Sequence, residues 1–171
     1  TNPSGNINNI VKINNAEVTN DQILANITYN QSINLTFATD ENCYVDSISI
    51  NSTLLANSQI ESGSYAFNLS QNSTIVVVFA NYININVYAY SNTLSDRQSY
   101  TNTDKQNYVG FAQNPTTTSQ TTKIKADDTV TLYAVANEKY IFDGWFNTND
   151  FENVTAISTS KQFALSQAQM Q

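Results

Sequence analysis

The residue types with which a protein does chemistry are thinly represented in this chain. None of its 171 residues is histidine, which removes His-based catalytic triads and the commonest metal ligand together. Catalysis would have to rest on carboxylates or lysine. The carboxylate candidates are Asp40-Glu41, Asp127-Asp128 and Asp150-x-Glu152, and all three fall in polar stretches where turns are expected, which makes them solvated loop charges. A glycosidase pair needs two carboxyls held on facing elements of a sizeable cleft, and a chain divided into two small modules offers little room for one. The four glycines, scattered at 5, 63, 110 and 144, cannot form a phosphate-cradling loop. Cys43 is the single cysteine, which excludes an intrachain disulfide and a cysteine-based zinc site. Its neighbours Asn42 and Tyr44 offer no activating base, so it reads as a small core or turn residue. Asp127-Asp128 and the stretch 147–152 carry oxygens that calcium accepts, but without EF-hand spacing. Lys12, Lys123 and Lys125 are the lysines from which a Lys–Asn crosslink could start, and nothing singles out a pair. No catalytic, cofactor-binding or metal-ligating residue is assigned, and the chain reads as a non-enzyme.

The elements that would have to position any site are strands. From Thr129 to Phe146 the sequence alternates Val130, Leu132 and Ala134 with Thr129, Thr131 and Tyr133, the period of a strand with one buried face. Asn137-Glu138-Lys139 supplies a turn, and Tyr140, Phe142 and Gly144-Trp145 a short aromatic second strand, so the stretch reads as a β-hairpin. Trp145 is the only tryptophan, and Gly144 leaves room beside it for an aromatic plug packed on backbone. A strand ending Thr-Leu-x-Ala, a turn, then Tyr-x-Phe-Asp-Gly-Trp resembles the divergent internalin B-type repeats of bacterial surface proteins, best from about Asn107 to Leu165. This chain has Lys139 where that family has glycine. The resemblance implies a compact, mostly β module strung in tandem along secreted or wall-attached proteins, without catalytic residues to carry over.

Earlier in the chain the same pattern recurs. Ile10–Ile13 is a strand candidate, Asn14-Asn15 a turn, and Ile23 to Tyr29 the expected partner. Ile33, Leu35 and Phe37 alternate with polar residues, and Tyr44 to Ile50 follows as a second arm with Val45, Ile48 and Ile50 apolar. Ser52 to Ile60 suits a short helix or a loop. Leu35 aligns with Leu132, Tyr44 with Tyr140, and Asp46-Ser47-Ile48 with Asp143-Gly144-Trp145 after one residue is dropped. Phe67-Asn68-Leu69-Ser70-Gln71 returns as Phe163-Ala164-Leu165-Ser166-Gln167, so the offset stays at 96 or 97. Two tandem modules follow, 1–81 with a flexible lead-in 1–8, and 82–171 with a polar surface insertion at about 91–118. The expected fold is all-β, each module β-grasp-like or a small sandwich. The first module closes with Ile75 to Phe79, whose counterpart would fall at the chain's end. The second module is therefore expected to lack its closing strand and to acquire one by strand addition, from a neighbouring module of a longer chain or from another subunit.

Composition sets the setting. Seven basic against fourteen acidic residues give a net charge of −7 with no basic stripe, which argues against nucleic acid. The longest apolar run, Ile75 to Ala80, is far short of the roughly 20 residues of a membrane helix. Only 12% of residues are charged, against about 25% in ordinary domains, and the polar surface is Asn, Ser, Thr and Gln, as in extracellular β modules. Asn-x-Ser/Thr sequons occur from Asn26 to Asn153 at the rate that such a composition gives by chance. The start at Thr1, without a signal peptide, reads as a piece of a longer secreted or cell-surface protein. The expected role is a structural or spacer module of such a protein, as part of a surface assembly. The alternative is an adhesive module that binds a glycan or protein through Tyr88, Tyr90, Tyr100 and Tyr108 near the insertion.

Overall fold

Asparagine turns open both sheets of the first unit. In the computed structural model, which describes residues 9–25, 27–90, 107–138, 140–147, 154–166 and 169, Asn14 and Asn15 take φ of 50° and 68°. Two successive left-handed residues are what a tight type I′ hairpin needs. Strand β1 (Ile10–Ile13) therefore returns at once as β2 (Ala16–Glu17), with Ile13 opposite Ala16. The Asn14 side chain also accepts a 2.8 Å hydrogen bond from the Asn34 N–H. This corrects the expectation for Ile23 to Tyr29. The two-residue turn puts β2 on one edge of β1 and β3 (Ser32–Ala38) on the other, so no edge remains for 23–29; Ile23 is 90% exposed.

The chain forms two compact units, Thr1–Tyr82 and Ile83–Gln171, and the protein is all-β. In the first unit β3 lies between β1 and β6 (Ser64–Asn68). Its alternation comes out as read: Ile33 and Leu35 are buried, Ser32 and Asn34 exposed. The second sheet has the order β5-β4-β7, made of β4 (Cys43–Ile50), β5 (Thr53–Leu54) and β7 (Ile75–Asn81). Asn51 and Ser52, again at positive φ, fold β5 back on β4. A bulge at Asp46 shifts the register between Val45 and Ser47. Cys43, Val45, Ile48 and Ile50 thereby share one face with Phe79 and Val77 opposite, while Tyr44 turns to the other. Tyr44, the first residue of the expected second arm, is buried on that opposite face, its ring centroid 5.0 Å from that of Tyr82. Cys43 is a core residue whose thiol reaches Asn81 Oδ1 at 3.1 Å.

Within Ser52 to Ile60 the helix is α1 (Asn57–Glu61), entered with the Gln59 side chain accepting from the Ala56 N–H and left through Gly63 at φ 72°. Five residues rise only about 7.5 Å, too little to cover a sheet. α1 is the only helix of more than one turn among the described residues, and the described fold is made of small antiparallel sheets.

In the second unit β8 (Ile83–Tyr88) pairs with β10 (Ser119–Ile124), and β11 (Val130–Val135) lies between β9 (Tyr108–Gly110) and β12 (Gln162–Leu165). Ile85, Val87, Ala89, Val109, Ile124, Leu132, Ala134, Trp145 and Leu165 form one core, with Phe142 and Phe163 packed against it. Tyr140, the first ring of the expected aromatic second strand, is only half-buried and lies outside the cluster. The hairpin expected over 129–146 does not form. Both edges of β11 are already taken, by β9 and β12, and the segment after the turn bridges instead from Trp145 to Ser158. The expected insertion at 91–118 is also narrower than drawn. Its end holds β9, with Val109 and Gly110 buried, while 91–106 lie outside the described residues, as does the lead-in 1–8.

Among the described residues, each unit buries one asparagine just before its first central-sheet strand. Asn9 Oδ1 accepts from the Asp40 N–H at 2.9 Å, and Asn107 Oδ1 from the Asn137 N–H at 2.8 Å. The bonds fasten the turn that follows β3 in one unit and β11 in the other, where an unmet buried N–H would be costly.

Candidate functional site

The turn after β11 directs what the following segment can build. Tyr140 N–H donates to Asn137 O at 2.8 Å, as Cys43 N–H does to Asp40 O at 3.1 Å in the first unit. Laid over one another by these turns, Cys43 rather than Tyr44 coincides with Tyr140, and Asp46-Ser47-Ile48 meets Asp143-Gly144-Trp145 with no residue dropped. From Asn137 the chain continues to Trp145, which is buried and edge-on to Phe142, ring centroids 5.4 Å apart. The indole N–H donates to Ser160 O at 2.9 Å, and the Trp145 backbone exchanges 2.8 Å bonds with Ser158 and Ile157. Trp145 is the aromatic plug that the sequence suggested.

Gly144 makes the close approach possible. A Cβ placed there would sit 2.6 Å from Ala156 Cβ and 3.0 Å from Ser158 O, and neither a methyl on the main chain nor a carbonyl can swing aside. Gly144→Ala is expected to cost the second unit about 1–3 kcal/mol by overpacking, read as a lower urea midpoint of the Trp145 emission, which reports on that unit alone. A midpoint unchanged within error would show that the 156–158 segment moves away freely.

Beside the 140–147 segment lies an open cleft of about 560 Å³. Its walls are the buried row of β8 (Ile85, Val87), β11 (Leu132, Ala134), Phe142, Trp145 and Ile157. Three of the four tyrosines singled out in the sequence meet here: Tyr88, Tyr90 and Tyr108 line the cleft, and Tyr88 is 53% exposed, its ring 6.3 Å from that of Tyr90. Tyr100 lies outside the described residues. The size is that of a site for a small ligand or a short peptide, roughly 300–1,000 Å³, and the lining is mostly apolar.

The carboxylates take the part of turn residues. Asp40 Oδ1 accepts from the Asn42 N–H at 3.0 Å, and Asp128 Oδ2 from the Lys125 N–H at 3.1 Å. Asp150 and Glu152 fall outside the described residues. Among the described residues no group of three or more Cys, Asp or Glu side chains is placed to hold a metal ion, and no helix is long and apolar enough to cross a membrane. Lys12 and Lys123 occupy exposed strand positions.

Fold and cleft together define an all-β protein of two units, one of which carries an apolar binding-type cleft. No protein-family model, curated protein or solved structure matches the chain.

Proposed function

We propose that this chain is a non-enzymatic structural module, two tandem β repeats that serve as a spacer in an extracellular bacterial surface protein. One observation carries the reading: the same plan is built twice. A buried asparagine (Asn9, Asn107) caps the turn after the central strand, the turn closes with the same hydrogen bond, and the central strand is flanked by antiparallel neighbours on both edges. The recurring Phe-x-Leu-Ser-Gln begins on β6 in one unit and on β12 in the other, both paired with the central strand, but the copies are two residues out of register: Tyr65 lies opposite Leu35, and Phe163 opposite Leu132. The low charge and the Asn, Ser and Thr surface support an extracellular setting, as does the likeness to internalin B-type repeats. Neighbouring modules or other subunits are the partners of such a spacer.

Pulled from its two ends, the chain is expected to unfold in two separate steps, each releasing roughly 25–30 nm at about 3.3–3.6 Å per extended residue. A single step would show one mechanical body and sink the repeat reading. The exposed Tyr88 beside Tyr90 favours a second reading, an adhesive module for a glycan or protein. Glycan-array binding that Tyr88→Ala abolishes would replace the spacer by this one.

A further inference from the structure

The two units carry the same asparagine, and in the second it borders a cleft. Asn9 and Asn107 are each 8% exposed, and each accepts at Oδ1 from the N–H of the turn that it fastens. Accepting that bond identifies the oxygen, so the other atom of each side chain is Nδ2, a donor. Asn9 Nδ2 is sealed inside the first unit without a partner. Asn107 Nδ2 meets no acceptor among the described residues either, but Asn107 belongs to the lining of the cleft. A buried donor left unmet is costly, and the cleft is where a ligand can meet this one.

Among the described residues the lining sorts by depth. Ile85, Val87, Leu132, Ala134 and Trp145 are buried, and Asn107 is the single polar residue buried with them. The remaining amides and the one carboxylate, on Asn84, Asn86, Asp143, Asn147 and Gln169, belong to exposed residues, which puts them at the mouth, in water. No Lys or Arg lines the cleft, so an anion would find no counter-charge there.

We propose that this cleft binds one uncharged, largely apolar small molecule that carries a ketone or amide carbonyl. Its body packs on Ile85, Val87, Leu132 and Trp145, and its carbonyl oxygen accepts from Asn107 Nδ2. The proposal goes beyond the spacer reading by giving the second unit a ligand, and it leaves that reading standing. A sugar suits the buried part less well, because its hydroxyls would be pressed on Ile, Val and Leu with a single donor to meet them. An apolar carbonyl compound loses little on leaving water and brings the one acceptor that the buried lining calls for.

The test is fluorescence titration of the whole chain with prodan, an uncharged acyl(dimethylamino)naphthalene whose emission moves to the blue when it leaves water. Its deoxo analogue, in which a methylene replaces the carbonyl, is titrated beside it. One prodan per chain is expected to bind with a Kd of about 1 mM or tighter and to shift the NMR signals of Leu132 and Trp145. Asn107→Asp keeps the oxygen that holds the Asn137 N–H and removes the donor. It should weaken prodan at least about tenfold and leave the analogue where it was. Ala134→Ile, which enlarges the cleft wall and leaves Asn107 in place, should weaken both compounds. Absence of saturable binding overturns the proposal. So does an Asn107→Asp variant that weakens both compounds alike, which would make Asn107 a turn cap alone. Undiminished binding to Ala134→Ile would place the dye elsewhere and overturns it too. Maltose shifting the Leu132 and Trp145 signals while prodan does not would give the cleft to the adhesive reading instead. None of these outcomes touches the two-step unfolding, so the spacer reading stands or falls separately.

Discussion

Trp145→Ala is expected to destabilise the second unit by about 3–5 kcal/mol, the range for deleting a buried aromatic ring. The side chain is 7% exposed and meets Phe142 edge-on at 5.4 Å. Its indole N–H also holds Ser160 O, so the ring adds to the backbone bridge with Ser158 and to Ile157 in fastening the 154–160 segment to the core. With a domain stability of roughly 5–15 kcal/mol, such a loss leaves the unit marginal. Two units in one chain break simple two-state behaviour, so the readout must be unit by unit, from amide exchange in urea. The β11 amides should lose protection while the β3 amides keep theirs. Trp145→Phe separates the contributions: the ring remains, the Ser160 carbonyl loses its donor, and the cost should fall to about 1–2 kcal/mol. Loss of less than 1 kcal/mol in the alanine variant would mean that the indole is not a core member.

The sequence made the alternating strands legible and the long-range pairings illegible. β3 was readable because a strand with one buried face writes its period into Ile33, Leu35 and Phe37. The same signal in Ile23 to Tyr29 was misleading, because the Asn14-Asn15 turn had already chosen a nearer partner for β1. The 129–146 hairpin failed for a related reason. Nothing local announces that Tyr108–Gly110 and Gln162–Leu165 occupy both edges of β11. The bulge at Asp46 was equally hidden, since one inserted residue reverses every side chain beyond it, and the run Cys43-Tyr44-Val45 reads well on either face. At the cleft, the tyrosines could be named from the sequence. Ile141 could not, because its exposure depends on what lies across the sheet edge rather than on its own neighbours.

Leu35 and Leu132 fill corresponding places in their units, yet their removal should not cost the same. Leu35 is fully buried on β3, opposite Tyr65 of β6, and Leu35→Ala leaves a void that the surrounding strands close only in part. Loss of transferred surface plus an enclosed cavity puts the cost at about 3–5 kcal/mol. Leu132 is 3% exposed, but it lines the cleft, so the space left by Leu132→Ala opens into one that already exists. The transfer contribution remains while the cavity contribution shrinks, which puts the cost at about 2–3 kcal/mol. The measurement is the change in exchange-derived stability of β3 in one variant and of β11 in the other. The enclosed site should lose more by at least about 1 kcal/mol. Equal costs would mean that the cleft wall behind Leu132 is closed in solution.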